Sequence, residues 1–111
     1  MKIENERLSR LRVLADMVRE NELAQFAALK TRIDTLTAEI QKLRRPMPGA
    51  DTASAFALSG GDDAWQRWRR TRIIACNREL ALLRSRVLPL QKRAQRAVGR
   101  SELLAQLSDR E

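Results

Sequence analysis

The chain has 111 residues, a net charge of +8, no histidine and a single cysteine, Cys76. Its length is that of about one domain, and its many Ala, Leu, Arg and Glu residues with few aromatic residues are typical of long helices rather than of a large globular core. The composition excludes an internal disulfide and a zinc site built from Cys and His. The positive charge indicates an acidic partner, which can be nucleic acid, an anionic membrane or an acidic protein surface.

Residues 4–45 predict one long helix, because no Gly or Pro occurs before Pro46. Apolar residues recur at spacings of three and four, as the seam of a coiled coil requires. The predicted seam is Leu8, Leu11, Ala15, Val18, Phe26, Leu29, Ile33, Leu36, Ile40 and Leu43. Two four-residue steps meet at Glu22, which predicts a stutter there. Glu22 is then either solvated or paired with an arginine of the partner helix, and we expect the N-terminal half to be the more mobile or partner-dependent one.

Residues 46–61 form a linker rich in Pro and Gly. The sequence Pro-Met-Pro-Gly at 46–49 ends the first helix, because proline cannot continue a helix and Pro-Gly favours a turn. Within the linker, Phe56 and Leu58 either fold back over the end of the coiled coil or form an exposed docking tip.

Residues 62–108 predict a second helix with Asp62 or Asp63 as its N-cap. Its seam keeps the same spacing and consists of Ile73, Cys76, Leu80, Leu83, Val87, Leu90, Ala94, Ala97, Ser101 and Leu104. Pro89 predicts a kink within this helix, because the seam continues in register on both sides of it. Gly99 lies off the seam and is a local weak point.

Trp65 and Trp68 are three residues apart near the start of the second helix, so they share one face. They either seal the closed end of a hairpin or form an exposed anchor for a partner. A second partner contact at the loop end is therefore predicted for Phe56, Leu58, Trp65 and Trp68.

Two helices of similar length joined by one linker predict an all-α fold, an antiparallel two-helix coiled-coil hairpin. The hairpin forms a single domain across residues 1–111 and brings both termini to one end. The alternative is a parallel dimer of single helices, which leaves the linker without a purpose.

Arginines follow the second seam at intervals that are multiples of seven, with Glu79 in the one vacant position. These arginines are Arg72, Arg86, Arg93 and Arg100. Because guanidinium groups stay charged and pair bidentately with carboxylates and phosphates, the row favours specific binding of an acidic partner. A coiled-coil spacer with a solvated charged face and a nucleic-acid binder are alternative hypotheses.

The sequence contains no glycine-rich phosphate loop and no nucleophile with a neighbouring base. A thin helical hairpin also has no interior for a substrate pocket. We therefore expect a non-enzymatic protein without catalytic residues, metal or cofactor. The N-terminus lacks a secretory signal and no run is long enough for a membrane span, so we expect a cytoplasmic location.

The chain resembles the FliJ/YscO family of flagellar and type III secretion export proteins. The resemblance lies in the helical architecture of the whole chain and in two basic segments, RLSRLRVLA at 7–15 and KRAQRAVGRSELL at 92–104. Members of this family are small antiparallel coiled coils that insert into a hexameric export ATPase ring and also contact the export gate and substrate chaperones.

The resemblance implies a non-enzymatic stalk or adaptor that binds and stimulates such an ATPase. It also implies that contact with the ring is made near the paired termini, at the inner-membrane export apparatus. Together with the arginine row, it predicts a partner-binding face made of Arg7, Arg10, Arg12, Arg86, Arg93, Arg96 and Arg100.

Overall fold

The computed structural model describes residues 2–45 and 60–110, and no strand occurs among them. The described helices are α1 (Lys2–Arg44), α2 (Gly61–Ser85) and α3 (Val87–Asp109). The predicted all-α class is therefore confirmed. Most of the predicted linker lies outside the described residues, and so do the predictions for Phe56 and Leu58.

The chain divides into two compact units. Unit 1 consists of Met1–Thr31 and Ser85–Glu111, and unit 2 consists of Arg32–Arg84. Each unit pairs one part of α1 with a later helix. The prediction of a single domain across the whole chain stays a prediction.

Unit 2 is an antiparallel helix pair with an apolar core. Its buried cluster contains Leu36 and Ile40 from α1 and Cys76 and Leu80 from α2, all of which are predicted seam residues. Two ion pairs lie beside this core, Arg32 with Glu79 at 2.9 Å and Arg72 with Glu39 at 2.7 Å. The later residue of α1, Glu39, pairs with the earlier residue of α2, Arg72, so the two helices run in opposite directions.

Unit 1 is also an antiparallel helix pair, and two ion pairs join its helices. Arg12 lies 3.7 Å from Asp109, and Glu22 lies 2.9 Å from Arg93. The order of these partners again shows that α1 and α3 run in opposite directions. The predicted antiparallel arrangement is confirmed within each unit.

The seam of α1 keeps an unbroken alternation of four and three residues. Its buried and half-buried positions are Leu8, Arg12, Ala15, Arg19, Glu22, Phe26, Leu29, Ile33, Leu36, Ile40 and Leu43. The stutter predicted at Glu22 is therefore wrong, and Leu11 and Val18 are exposed instead of seam residues. Arginine can occupy the seam because its aliphatic stem packs while its guanidinium reaches out to a polar group.

The second predicted helix is divided in two at Arg86, whose backbone stays near-helical with φ −90° and ψ −12°. Pro89 is the third residue of α3, in the first turn, where a backbone N–H has no partner within the helix. The kink predicted from Pro89 is therefore confirmed, and it lies at Arg86, three residues before the proline, because Pro89 cannot donate the backbone hydrogen bond that would continue the helix there. All ten predicted seam residues from Ile73 to Leu104 are nevertheless buried or half-buried.

The start of α2 depends on Gly60, which has φ +80°, a conformation that side-chain-bearing residues rarely adopt. The Gly60 carbonyl accepts a 3.3 Å hydrogen bond from the Ala64 N–H, and the helix begins at Gly61. Asp62 and Asp63 lie inside the first turn rather than at the N-cap, which corrects the prediction. Their carboxylates still face the positive end of the helix dipole.

Candidate partner-binding surface

A buried carboxylate lies in the seam of unit 1. Glu22 is only 9% exposed, and its Oε1 accepts a 2.9 Å hydrogen bond from Nη2 of Arg93. Its Oε2 is buried and has no hydrogen-bond partner among the described residues. Of the two alternatives for Glu22, the pairing with an arginine of the other helix is confirmed.

A second polar layer is centred on Ser101, which is almost fully buried. The Ser101 hydroxyl donates a 2.5 Å hydrogen bond to Oδ1 of Asp16 and accepts a 2.8 Å hydrogen bond from Nη1 of Arg19. Arg19 and Asp16 also approach each other to 3.7 Å. A seam position that is usually apolar is therefore occupied by serine, whose hydroxyl acts both as a donor and as an acceptor.

Many large apolar side chains of unit 1 face solvent, although Leu29 is buried and Phe26 is half-buried in its seam. In the described part of the chain, ten of the thirteen exposed large apolar residues belong to unit 1. They are Ile3, Leu11, Val13, Leu14, Met17, Val18, Leu23, Leu88, Leu103 and Leu107. Because unit 1 has polar groups in its seam and leucines on its surface, it is the part of the molecule most suited to a partner.

Three arginines of α3 meet beside this seam. Arg93, Arg96 and Arg100 line a pocket of about 150 Å³ together with Val18 and Glu22, which we call the basic pocket. Arg93 is paired with Glu22, whereas Arg96 and Arg100 form no ion pair with any described residue. The basic pocket therefore offers two free guanidinium groups to an anionic group from outside.

The other predicted binding arginines are placed differently. Arg7 and Arg10 are exposed on α1, and Arg10 lines a shallow apolar depression with Val13 and Leu14. Arg12 is half-buried and paired with Asp109, so it has an internal role. Arg86 is exposed at the turn between α2 and α3.

The arginine row continues into unit 2, where it has an internal role. Arg72 donates to Glu39 at 2.7 Å, and this hydrogen bond, with the charge of Glu39, raises the pKa of Arg72. Glu79, which occupies the vacant position of the row, accepts from Arg32 of α1. Sequence reasoning missed these acceptor and donor partners on α1, although charged pairs beside a heptad seam are a known signal of helix pairing.

The two tryptophans stack on each other at the start of α2. Their ring centroids are 5.1 Å apart with an interplanar angle of 27°, and Trp68 remains about half exposed. The stack gives this end of unit 2 an aromatic surface. The contact with a partner predicted for this end stays a prediction.

Within residues 2–45 and 60–110, no cluster of three or more His, Cys, Asp or Glu residues has an arrangement that could bind a metal ion. None of the helices in these ranges combines the length and apolar composition that a bilayer span needs. Comparison with protein-family models, curated proteins and solved structures finds no match to this chain.

Proposed function

We propose that this protein is a non-enzymatic stalk or adaptor of a flagellar or type III protein export apparatus, which binds and stimulates a hexameric export ATPase through unit 1. The observation that carries the proposal is the basic pocket. Its free guanidinium groups, Arg96 and Arg100, lie in the unit that contains both chain ends. Resemblance to the FliJ/YscO family supplies the identity of the ring.

The electrostatics of unit 1 suit a contact that forms and breaks repeatedly. An exposed pair of arginine and carboxylate contributes only about 0 to 1 kcal/mol, so several such pairs with acidic loops of a ring give orientation without tight binding. The Glu22–Arg93 pair holds the register of the helices while the neighbouring arginines stay available. The proposed location is cytoplasmic, at the inner-membrane export apparatus, with the export gate and substrate chaperones as further partners.

Nucleic-acid binding is less well supported than a protein partner. Arg12, Arg19, Arg32, Arg72 and Arg93 all pair with carboxylates of the chain itself. Five guanidinium groups are therefore already engaged, and no aromatic side chain interrupts the basic stretch 69–100 to stack on bases.

The proposal is tested by measuring the rate at which the export ATPase of the same cell hydrolyses ATP, with and without this protein added. The double variant R96E/R100E reverses two charges that have no internal partner, so the helical content measured by circular dichroism should not change. We expect this variant to lose stimulation.

The matched control is R67E/R70E, which reverses two exposed charges of unit 2 and should stimulate nearly as well as the original chain. Equal loss from both double variants would reject the proposal. Tight binding of RNA that weakens steeply with salt, without any effect on ATP hydrolysis, would favour the nucleic-acid alternative.

A further inference from the structure

The exposed face of α3 carries a regular stripe that combines charge and apolar surface. Its residues follow spacings of three and four and are Arg93, Arg96, Arg100, Leu103 and Leu107. Residues at these spacings lie on one side of a helix, and all five are exposed. The stripe is about 21 Å long and contains no acidic residue.

A second stripe lies on α1 and faces the same side of unit 1. Leu11, Leu14 and Val18 also follow spacings of three and four, and each is about half exposed. Val18 lines the basic pocket together with Arg93, Arg96 and Arg100, which places the two stripes side by side. Because α1 and α3 are antiparallel, Leu11 and Leu14 extend in the same direction as Leu103 and Leu107.

The two stripes therefore line one groove, which we call the outer groove. One end is lined by leucines from both helices, and the other end is the basic pocket. Spacings of three and four are those by which a coiled coil receives another helix. The residues of the groove thus have the spacing that a bound helix requires. Its surface is apolar at one end and positively charged at the other.

We propose that the outer groove binds an amphipathic helix of a partner protein, with apolar residues against the leucines and carboxylates against Arg96 and Arg100. This inference goes beyond the proposed function, because it concerns a single acidic helix and holds whether or not an ATPase ring is bound. It shares Arg96 and Arg100 with the proposed function but also depends on the leucines, which the arginine contact does not use.

Charge decides in favour of an acidic partner helix over a second copy of the chain. The groove stripes contain no acidic residue, and the carboxylate of Glu22 beneath them is already engaged by Arg93. A second copy placed in the groove would bring further arginines from the same stripes to a chain with net charge +8. An acidic helix neutralises that charge and covers the leucines at the same time.

The experiment measures binding of a fluorescein-labelled synthetic helix to the full chain by fluorescence anisotropy. The probe has three heptads, about 21 residues, with leucine at the seam positions and glutamate beside them, so that its own charges prevent self-association. A second probe has lysine in place of every glutamate. We expect the glutamate probe to bind and the lysine probe to bind at least about tenfold more weakly.

The variants L103Q and L88Q form a matched pair on the same helix, since Leu103 is 56% exposed and Leu88 is 57% exposed. Leu88 lies five residues before Arg93, beyond the basic end of the stripe, and is about 140° around the helix from Arg93 and about 22 Å along it from Leu103. We expect L103Q to weaken binding of the glutamate probe about tenfold and L88Q to leave it unchanged.

R96E should weaken binding similarly and R84E should not, since Arg84 is exposed but belongs to unit 2. Equal effects of L103Q and L88Q, or equal binding of the two probes, would overturn the inference. So would a concentration-dependent dimer of the chain alone that L103Q abolishes in sedimentation, because the groove would then bind a second copy. If the groove binds the probe but the chain does not stimulate the ATPase, only the proposed function fails.

Discussion

Arg93 of α3 donates a 2.9 Å hydrogen bond to Glu22 of α1 across 71 positions of the chain, at a seam position where an apolar residue is usual. Glu22 is buried, whereas the Arg93 side chain is 56% exposed. Such a pair contributes little net stability, but removal of Arg93 is costly because it leaves the Glu22 carboxylate buried without compensation. We infer that this pair fixes the register of unit 1 more than it stabilises the unit.

The first prediction concerns this pair. Arg93→Met should lower the free energy of unfolding by about 1 to 3 kcal/mol, because the Glu22 carboxylate then stays buried without a charged donor. Urea denaturation followed by circular dichroism measures the change. Arg96→Met is the control, since Arg96 has no ion pair in the described residues and its loss should cost within about 0.5 kcal/mol.

The double variant E22M/R93M completes the test of the first prediction. It replaces both charges with apolar groups and should be at least as stable as the original chain. A double variant that loses as much stability as R93M alone would mean that the pair itself stabilises unit 1.

The second prediction compares two leucines of α1. Leu36 is fully buried and Leu14 is 58% exposed. Leu36→Ala should cost about 2 to 5 kcal/mol, because it leaves a cavity in the core of unit 2. Leu14→Ala should cost less than about 0.5 kcal/mol in the same urea experiment. Similar losses from both would show that Leu14 is packed in solution and that the outer groove is closed.

The apolar period was sufficient to predict the core of unit 2 and the seam of α2 and α3, because the buried residues there, apart from Ser101, are Leu, Ile, Cys and Ala at regular spacing. It failed on α1 of unit 1, where Arg12 and Arg19 take the seam and Leu11 and Val18 face solvent. A pattern that counts arginine as a polar residue misses a seam in which the aliphatic part of arginine is packed and its guanidinium group is paired with a polar group.

The basic face was only partly predictable for a related reason. The sequence identified Arg93, Arg96 and Arg100, but it could not show that Arg93 is engaged by Glu22 while the other two are free. The sequence did not reveal the leucine end of the outer groove. Leu11 was assigned to the seam, and Leu14, Leu103 and Leu107 were given no role. A second stripe at spacings of three and four was the signal that could have revealed it.

The third prediction concerns Gly99, which lies inside α3. It is exposed, and a Cβ atom added there would meet no atom within 4 Å. Gly99→Ala should therefore raise the free energy of unfolding by about 0.5 to 1 kcal/mol, because alanine loses less backbone entropy in a helix. Thermal unfolding measures the gain. A lower melting temperature would show that another element approaches α3 at this position.

The fourth prediction is a pH dependence that arises from Cys76. Burial, followed by the charge of Glu39, raises the pKa of the Cys76 thiol above its ordinary value of 9.0. The folded chain then holds the thiol proton more tightly than the unfolded chain does. Its contribution to stability is complete below the unfolded pKa and is lost as the pH rises above it.

The check is urea denaturation of the original chain and of Cys76→Ala between neutral pH and pH 10, about one unit above the ordinary thiol pKa. The original chain should lose more stability than the variant over the alkaline part of this range. Parallel curves would show that the thiol ionises as easily in the folded chain as in the unfolded one.

The central claim is that unit 1, with its polar seam and exposed leucines and arginines, is the partner-binding part of the molecule. Amide hydrogen exchange of the chain with and without the export ATPase hexamer tests it most directly. We predict that the hexamer slows exchange at residues 7–18 and 93–107 and leaves residues 72–84 of unit 2 unchanged. Slowing confined to residues 60–84, or no slowing at either stretch of unit 1, would contradict the claim.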